Sequence, residues 1–292
     1  MISIVIPVFN DPVALRRCLE AIGAQSLSPG QFEAIVVDNG SAIGIADVVR
    51  EFGFARCLFE ARPGSYNARN TGARAASGEI LAFTDADCIP RPDWLERARR
   101  HFAADDRVAA LGGRIDLVVS GARTTAELFE TVFPSFLQEQ YVQQMGFAAT
   151  ANLFVRRVDF LAVGPFDGAR MSSGDKEWGR RLGASGRVLR YADDAVVEHP
   201  ARTSIAALIR KHRRIVGGRV AGPGQEAPTL YEPWSRRIRQ GVSGTLLTLL
   251  LRPGRLSLSR LESTRVIALV AVVGVARVWE RTRLALGARP IR

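Results

Sequence analysis

Along the first two-thirds of the chain, two hydrophobic periods take turns. Apolar runs without helical spacing at 2–8, 32–37, 56–59 and 80–83 read as buried strands, each bounded by turn residues. Between them the spacing becomes helical. Val13, Leu15, Leu19 and Ile22 line one face of a helix whose start is marked by Asp11 as N-cap and Pro12 at its first position. Further helices are predicted over 45–52 and over 65–76, the latter with a polar face bearing Asn and Arg. Strand and helix in strict alternation predict an α/β fold, a Rossmann-like and mostly parallel sheet with helices on both faces. Such sheets bind ligands beyond the carboxyl ends of their strands. Asn10, Asp38 and Asp85 all stand at such ends.

The second half is less regular. The pattern predicts a helix over 94–102, a strand over 108–119 containing Gly112 and Gly113, and a helix over 126–141 presenting Phe129, Phe133, Phe136 and Tyr141 to a core. A strand follows within 148–157, then a turn at 163–167 and a helix opening within 172–182. Two short strands, 187–191 and 195–197, lead into Glu198-His199-Pro200. A basic amphipathic helix spans 205–216. Beyond it the expected division is a linker over 216–233 and apolar, basic helices over 234–292. Two apolar runs in this tail, 242–251 and 266–276, are shorter than the ~20 residues a spanning helix needs.

Charge sharpens the division. The chain has 292 residues and a formal net charge of +11; residues 201–292 carry +14 and residues 1–200 carry −3. A nucleic-acid enzyme would surround its active site with basic residues, so this distribution argues against nucleic acid. Arg236, Arg237 and Arg239 precede the first run, Arg252 and Arg255 follow it, and Arg277, Arg281 and Arg283 follow the second. Short apolar helices with basic ends suit an anionic membrane surface; a helical hairpin packed on protein is the alternative. Three scattered cysteines without a CxxC pair imply a reduced, cytosolic setting with neither disulfides nor zinc. The first strand begins at once, with no basic region or cleavage site, so no signal peptide is expected.

The strand at 80–83 runs into Asp85-Ala86-Asp87. Two carboxylates at i and i+2 past a strand end can aim at one point, and paired hard oxygens suit Mg2+ or Mn2+ on a diphosphate. A loop that happens to begin with two aspartates is the plain alternative. Asp38 can accept from a base N–H or close an Asx-turn with Asn39-Gly40. A lone histidine such as His199 is usually structural, while His101 and His212, set among helix arginines, read as solvated.

Four motifs in order carry a family resemblance: Ile-Pro-Val-Phe-Asn at 6–10, Val-Val-Asp-Asn-Gly-Ser at 36–41, Asn-Ala-Arg-Asn-Thr-Gly at 67–72 and Thr-Asp-Ala-Asp at 84–87. Over about residues 1–215 the chain resembles the inverting family 2 glycosyltransferases of GT-A fold, which join a nucleotide-binding half to an acceptor-binding half. The resemblance implies a metal-dependent enzyme that moves a sugar from a nucleotide donor, UDP foremost, to a saccharide or polyprenyl-linked acceptor in bacterial surface polysaccharide or glycolipid synthesis. The implied place of work is the cytoplasmic face of the inner membrane, peripheral or shallowly inserted.

It also implies roles for residues. Pro7, Val8 and Phe9, with Asn10, shape the nucleoside wall, and Asp38 takes the uracil N3–H. Arg69 and Asn70 reach the nucleotide. Asp87 is the principal metal ligand, Asp85 holds ribose, metal or both, with Ala86 between them, and His199 is a third ligand. Asn152 touches the acceptor side. Where the family carries Glu-Asp this chain has Gly174-Asp175, so Asp175 becomes the general base and Glu177 its rival. Asp175 in the first turn of its helix gains from the helix dipole, which favours the charged form. Trp178 is a sugar-stacking wall or a core residue. A nucleotidyltransferase on the same kind of fold, and a non-catalytic nucleotide-sugar-binding partner at the membrane, remain the other two function classes.

Overall fold

The computed structural model describes residues 1–220 and 258–291. The apolar run at 242–251, the linker beyond residue 220, and Arg236, Arg237, Arg239, Arg252 and Arg255 lie outside the described residues. The chain forms two compact units: Met1–Leu117 with Phe136–Pro200, and Val118–Ser135 with Ala201–Arg292.

The first unit is built on one sheet. Its strands are β1 (Ile2–Val8), β2 (Phe32–Asp38), β3 (Ala55–Phe59), β4 (Ile80–Thr84), β5 (Ile89–Pro90), β6 (Val108–Val118), β7 (Asn152–Arg156) and β8 (Val188–Pro200). Their spatial order is β3-β2-β1-β4-β7-β6-β8-β5. The helices are α1 (Pro12–Gly23), α2 (Ile45–Val49), α3 (Ser65–Ala75), α4 (Trp94–Ala104), α6 (Gln138–Met145), α7 (Arg157–Val163) and α8 (Gly174–Ala184), with α5 (Thr125–Val132) belonging to the second unit. The alternation read from the sequence is visible in β1. Ile2, Ile4, Ile6 and Val8 enter a core with α1, α2 and α4, while Val5 enters another with α3, α7 and α8. Helices therefore cover both faces, as the pattern predicts.

Only part of the sheet is parallel. β3, β2, β1 and β4 run parallel, whereas β7 pairs antiparallel with both β4 and β6, and β5 pairs antiparallel with β8. The strand beside β4 is β7, reached only after β5, α4, β6, α5 and α6, so the pairing there is not the product of a right-handed βαβ crossover and need not be parallel.

Local differences have local causes. In α1, Asp11 caps through its Oδ1, 2.9 Å from the Ala14 amide, and Leu15, Leu19 and Ile22 are buried, but Val13 is exposed. The helix expected over 126–141 is two helices, α5 and α6. Pro134 has no amide to donate and pushes Phe133 out of the helical region, to φ −122° and ψ 69°. The strands expected at 187–191 and 195–197 are one strand, β8. It continues through Asp193 and Asp194, which face solvent and pair with Arg114 and His101 between the buried Ala192 and Ala195.

The second unit packs α5, α9 (Ile205–Val220) and α10 (Arg260–Ala285) through Phe129, Leu208, Leu269, Val270 and Val273. α9 runs through residues 216–220, where a linker was expected. Gly217 and Gly218 are buried, and a Cβ at Gly217 would stand 3.1 Å from Pro290; tertiary packing outweighs the low helix propensity of glycine. Glu130, almost fully buried, binds Lys211 and Arg202, and burial lowers the Lys211 pKa to about 8. His212 is buried, not solvated: burial, then the neighbouring Arg277, pushes its pKa down to about 3, and Nδ1 lies 2.7 Å from the Arg277 guanidinium. The inner face of the 266–276 run is thus accounted for by packing on protein. Among the described residues no helix is long and apolar enough to cross a membrane.

Candidate active site

The carboxyl ends of β1, β2 and β4 place Asn10, Asp38 and Asp85 at one end of the sheet. Asp38 Oδ1 accepts the Ser41 amide at 2.9 Å, three residues on and so one further than an Asx-turn; among the described residues Oδ2 carries no further hydrogen bond. Asn10 sits at φ 55°, its amide on Ser41 Oγ and its Oδ1 accepting the Ala42 amide at 2.7 Å. Phe9 is 44% exposed and Pro7 half-buried, so both can face a nucleoside. Val8 cannot do so with its side chain, which is 3% exposed in the core; its carbonyl binds the Asn39 amide. Ala86 likewise turns its methyl into the core.

Sequence reasoning passed over the frame of this pocket. Buried Asn39 donates to the carbonyls of Glu60 and Arg62 and accepts the Gly64 amide at 2.8 Å. Glu60 holds Arg62 and Thr71, hydrogen bonds that bring its pKa down to about 2. Asn39 adjoins Asp38 within a quoted motif and could have been found; nothing in the pattern singles out Glu60.

The second turn of the site follows β4. The Cys88 amide donates to the Asp85 carbonyl at 3.1 Å, closing the turn that carries Asp85, Ala86 and Asp87. β5 then pairs with β8 in a register that sets Ile89 against Glu198, and this brings His199 beside the turn. Ligand atoms of Asp85, Asp87, Cys88 and His199 all lie within 4.8 Å of one another. His199 is 3% exposed behind the two half-exposed carboxylates, with Nε2 3.5 Å from Asp87 Oδ2. Its Nδ1 lies 2.9 Å from the Pro200 carbonyl. A carbonyl only accepts, so Nδ1 carries a proton and Nε2 is the ring nitrogen turned toward Asp87. The Phe136 ring packs against the imidazole, centroids 4.6 Å apart and planes tilted by 44°. Burial drives the Cys88 pKa far up, so its sulfur is a neutral thiol turned to the Ala151 carbonyl. Two carboxylates and an imidazole remain, a donor set that fits a divalent cation.

Arg69, on α3, is 3% exposed and ion-paired with Asp85. This leaves Asp87 as the less compensated carboxylate of the pair. Arg69 also lies against the Tyr66 ring, 5.6 Å from its centroid, and Tyr66 Oη accepts the amide of Asp175 at 3.2 Å. Asp85, Arg69, Tyr66 and Asp175 thus form one connected line. Burial raises the Asp175 pKa above the ordinary aspartate value, against the pull of the Lys176 amide, Arg69 and Tyr66. Glu177 is committed elsewhere: both oxygens bind Arg181, at 2.9 and 3.1 Å.

Asn70, Asn152 and Trp178 have structural partners within the protein. Asn70 donates to the Phe166 carbonyl at 2.7 Å and accepts its amide at 2.9 Å, pinning the loop after α7. Asn152, fully buried, binds Trp94, Arg114 and Ala195. A Cβ at Gly113 would stand 2.4 Å from both the Asn152 amide and the Ala195 carbonyl, so this pin requires a glycine there. Trp178 is core, stacked 5.7 Å from Phe160.

A mixed sheet covered on both faces, with paired carboxylates at its strand ends, defines a GT-A-type glycosyltransferase. Residues 3–162 match the family described as Glycosyl transferase family 2, and the chain belongs to that family. It is 34% identical to the glycosyltransferase AglE of Haloferax volcanii over 75% of this chain and 73% of that protein. It is 31% identical to the pre-mycofactocin glycosyltransferase of Mycobacterium tuberculosis over 75% of this chain, which spans about half (47%) of that relative. Among solved structures, it superposes on the mannosyltransferase PcManGT of Pyrobaculum calidifontis, in complex with GDP-Man and Mn2+, with a TM-score of 0.63 and 21% identity, over 96% of this chain and 87% of that one.

Proposed function

We propose that this glycosyltransferase moves a sugar from a nucleoside diphosphate donor to an acceptor hydroxyl with inversion at the anomeric carbon. The observation that carries the reading is the convergence of Asp85, Asp87 and His199 at the end of the line that leads through Arg69 and Tyr66 to Asp175. Asp87, His199 and Asp85 would hold Mn2+ or Mg2+, whose bound charge offsets that of the leaving diphosphate. Pro7, Phe9 and Asn10 border the nucleoside, and Asp38, whose Oδ2 is open, would receive the N3–H of uracil, the contact on which the choice of UDP as donor nucleotide rests. Asp175 takes the proton of the acceptor hydroxyl as that oxygen attacks the anomeric carbon from the face opposite the diphosphate. The complex of PcManGT with a nucleotide-sugar and Mn2+ supports a donor and a cation of these classes.

The test is a panel of nucleotide-sugars incubated with Mn2+, with Mg2+ and with chelator, read by nucleoside diphosphate release and by early-time NMR of the released sugar. Metal-dependent release with inverted configuration is the expected result. Pyrophosphate release would favour the nucleotidyltransferase reading, retained configuration would reject the single displacement, and binding without turnover would leave a non-catalytic partner.

We further propose a polyprenyl-linked or saccharide acceptor met at the cytoplasmic face of the inner membrane. The support is the outer face of α10, where Ala268, Ala271, Val272, Val275 and Trp279 are exposed one helical turn after another, near exposed Arg265. An apolar stripe ending in tryptophan beside basic residues suits lying in an anionic leaflet. The full chain should float with anionic liposomes, less so at high salt as the charges are screened. Val275→Glu with Trp279→Glu should weaken flotation at least about tenfold, since burying such side chains stabilises by roughly 1.5–3 kcal/mol each. A full chain that stays in solution with both anionic and neutral liposomes would remove the membrane from the account.

A further inference from the structure

The helix that carries Asp175 begins without help from its own cap. Ser173, at the N-cap of α8, lies in the left-handed region at φ 61°, and its side chain makes no capping bond. The first amides of a helix must otherwise find acceptors. Here the acceptor comes from α3: Tyr66 Oη takes the Asp175 amide at 3.2 Å. Tyr66 is 5% exposed, held between Phe166, at 5.6 Å, and the Arg69 guanidinium. Burial raises its pKa, so the phenol keeps its proton.

Gly174 completes the arrangement. A Cβ there would stand 2.7–2.8 Å from three carbons of the Tyr66 ring, closer than real Cβ atoms come. The ring occupies the place of the residue 174 side chain, and only glycine lets the helix start against it.

We propose that Tyr66 is the positioning residue for Asp175: its phenol caps α8 in place of Ser173 and fixes the carboxylate at the point where the acceptor hydroxyl arrives. This rests on Asp175 being the base. The groups facing Asp175 are Tyr66 and Arg69 from α3 and the Lys176 amide from its own helix. Tyr66 is one of the influences that hold the carboxyl down against burial. Tyr66→Phe keeps the ring and removes that influence, so the Asp175 midpoint moves to higher pH. Turnover at a pH on the acid side of the optimum falls about three- to tenfold, the effect of one hydrogen bond, with UDP affinity unchanged.

The experiment is a carbon-13 NMR titration of the aspartate carboxyls in the full chain, with Asp175→Asn locating the Asp175 signal and Tyr66→Phe compared with wild type. Beside it, the Tm lost on Gly174→Ala is measured in the wild-type and in the Tyr66→Ala background. The expected results are an upward-shifted midpoint and a smaller loss once the ring is gone. A purely structural tyrosine would not move the midpoint. Either an unmoved midpoint or equal Tm losses overturns the proposal. If Asp175→Asn leaves turnover intact while Tyr66→Phe still shifts the midpoint, the base assignment falls and the positioning contact stands.

Discussion

Asp175→Asn should lower turnover by about 10²–10⁴-fold, the usual worth of a positioned base, with UDP affinity nearly intact. The substitution keeps size and hydrogen-bonding shape and removes only the ability to take a proton. Glu177→Gln is the control: because Glu177 is tied at both oxygens to Arg181, it should cost less than about tenfold. If Glu177→Gln stops turnover and Asp175→Asn does not, the base is the wrong acid. The pH dependence carries the same sign. Burial raises the Asp175 pKa, and the base works only when ionised. Activity should therefore be lost as pH falls through a value above the ~3.9 of an ordinary aspartate.

The parts of the fold legible in the sequence were those with a clean period. β1, β2 and β4 are runs buried on both faces, and their ends could be placed to within a residue. The same placement exposed Asp38, Asp85 and Asp87 as strand-end carboxylates. Antiparallel pairing after β4 was not legible, because a period of two fixes which face a residue takes and says nothing about strand direction. Pro134 was in view, yet the aromatic spacing across it argued for one helix.

Polar residues were harder than apolar ones. Asn70 and Asn152 stand in stretches that resemble a nucleotide and an acceptor site, and each spends its amide on backbone. Sequence shows that an amide is present and not what it faces. Conversely, Tyr66, Arg69 and Asp175 are joined across more than 100 positions of chain, and neither the tyrosine nor the need for Gly174 beside it shows in any local pattern. His199 needed the β5–β8 register to become a neighbour of Asp87. The tail's basic, apolar character was legible. That half of the 266–276 run would be spent on Phe129 and Leu208 was not.

The second large effect belongs to Asp87. Its carboxylate is half-exposed beside His199 Nε2, whereas Asp85 is compensated by Arg69, so Asp87 would carry most of a cation's binding. Removing a mere partner of a metal ligand typically costs about 10–100-fold. Loss of the ligand itself in Asp87→Ala should therefore weaken Mn2+-dependent UDP binding by at least about 100-fold, and His199→Ala should do less, on the order of tenfold. Calorimetric titration of UDP into the full chain, with Mn2+ and again with chelator, for wild type and Asp87→Ala, puts the claim directly. Heat with Mn2+ in the wild type, lost on chelation and lost in Asp87→Ala, is the predicted result; binding that persists unchanged without metal or without Asp87 would contradict it.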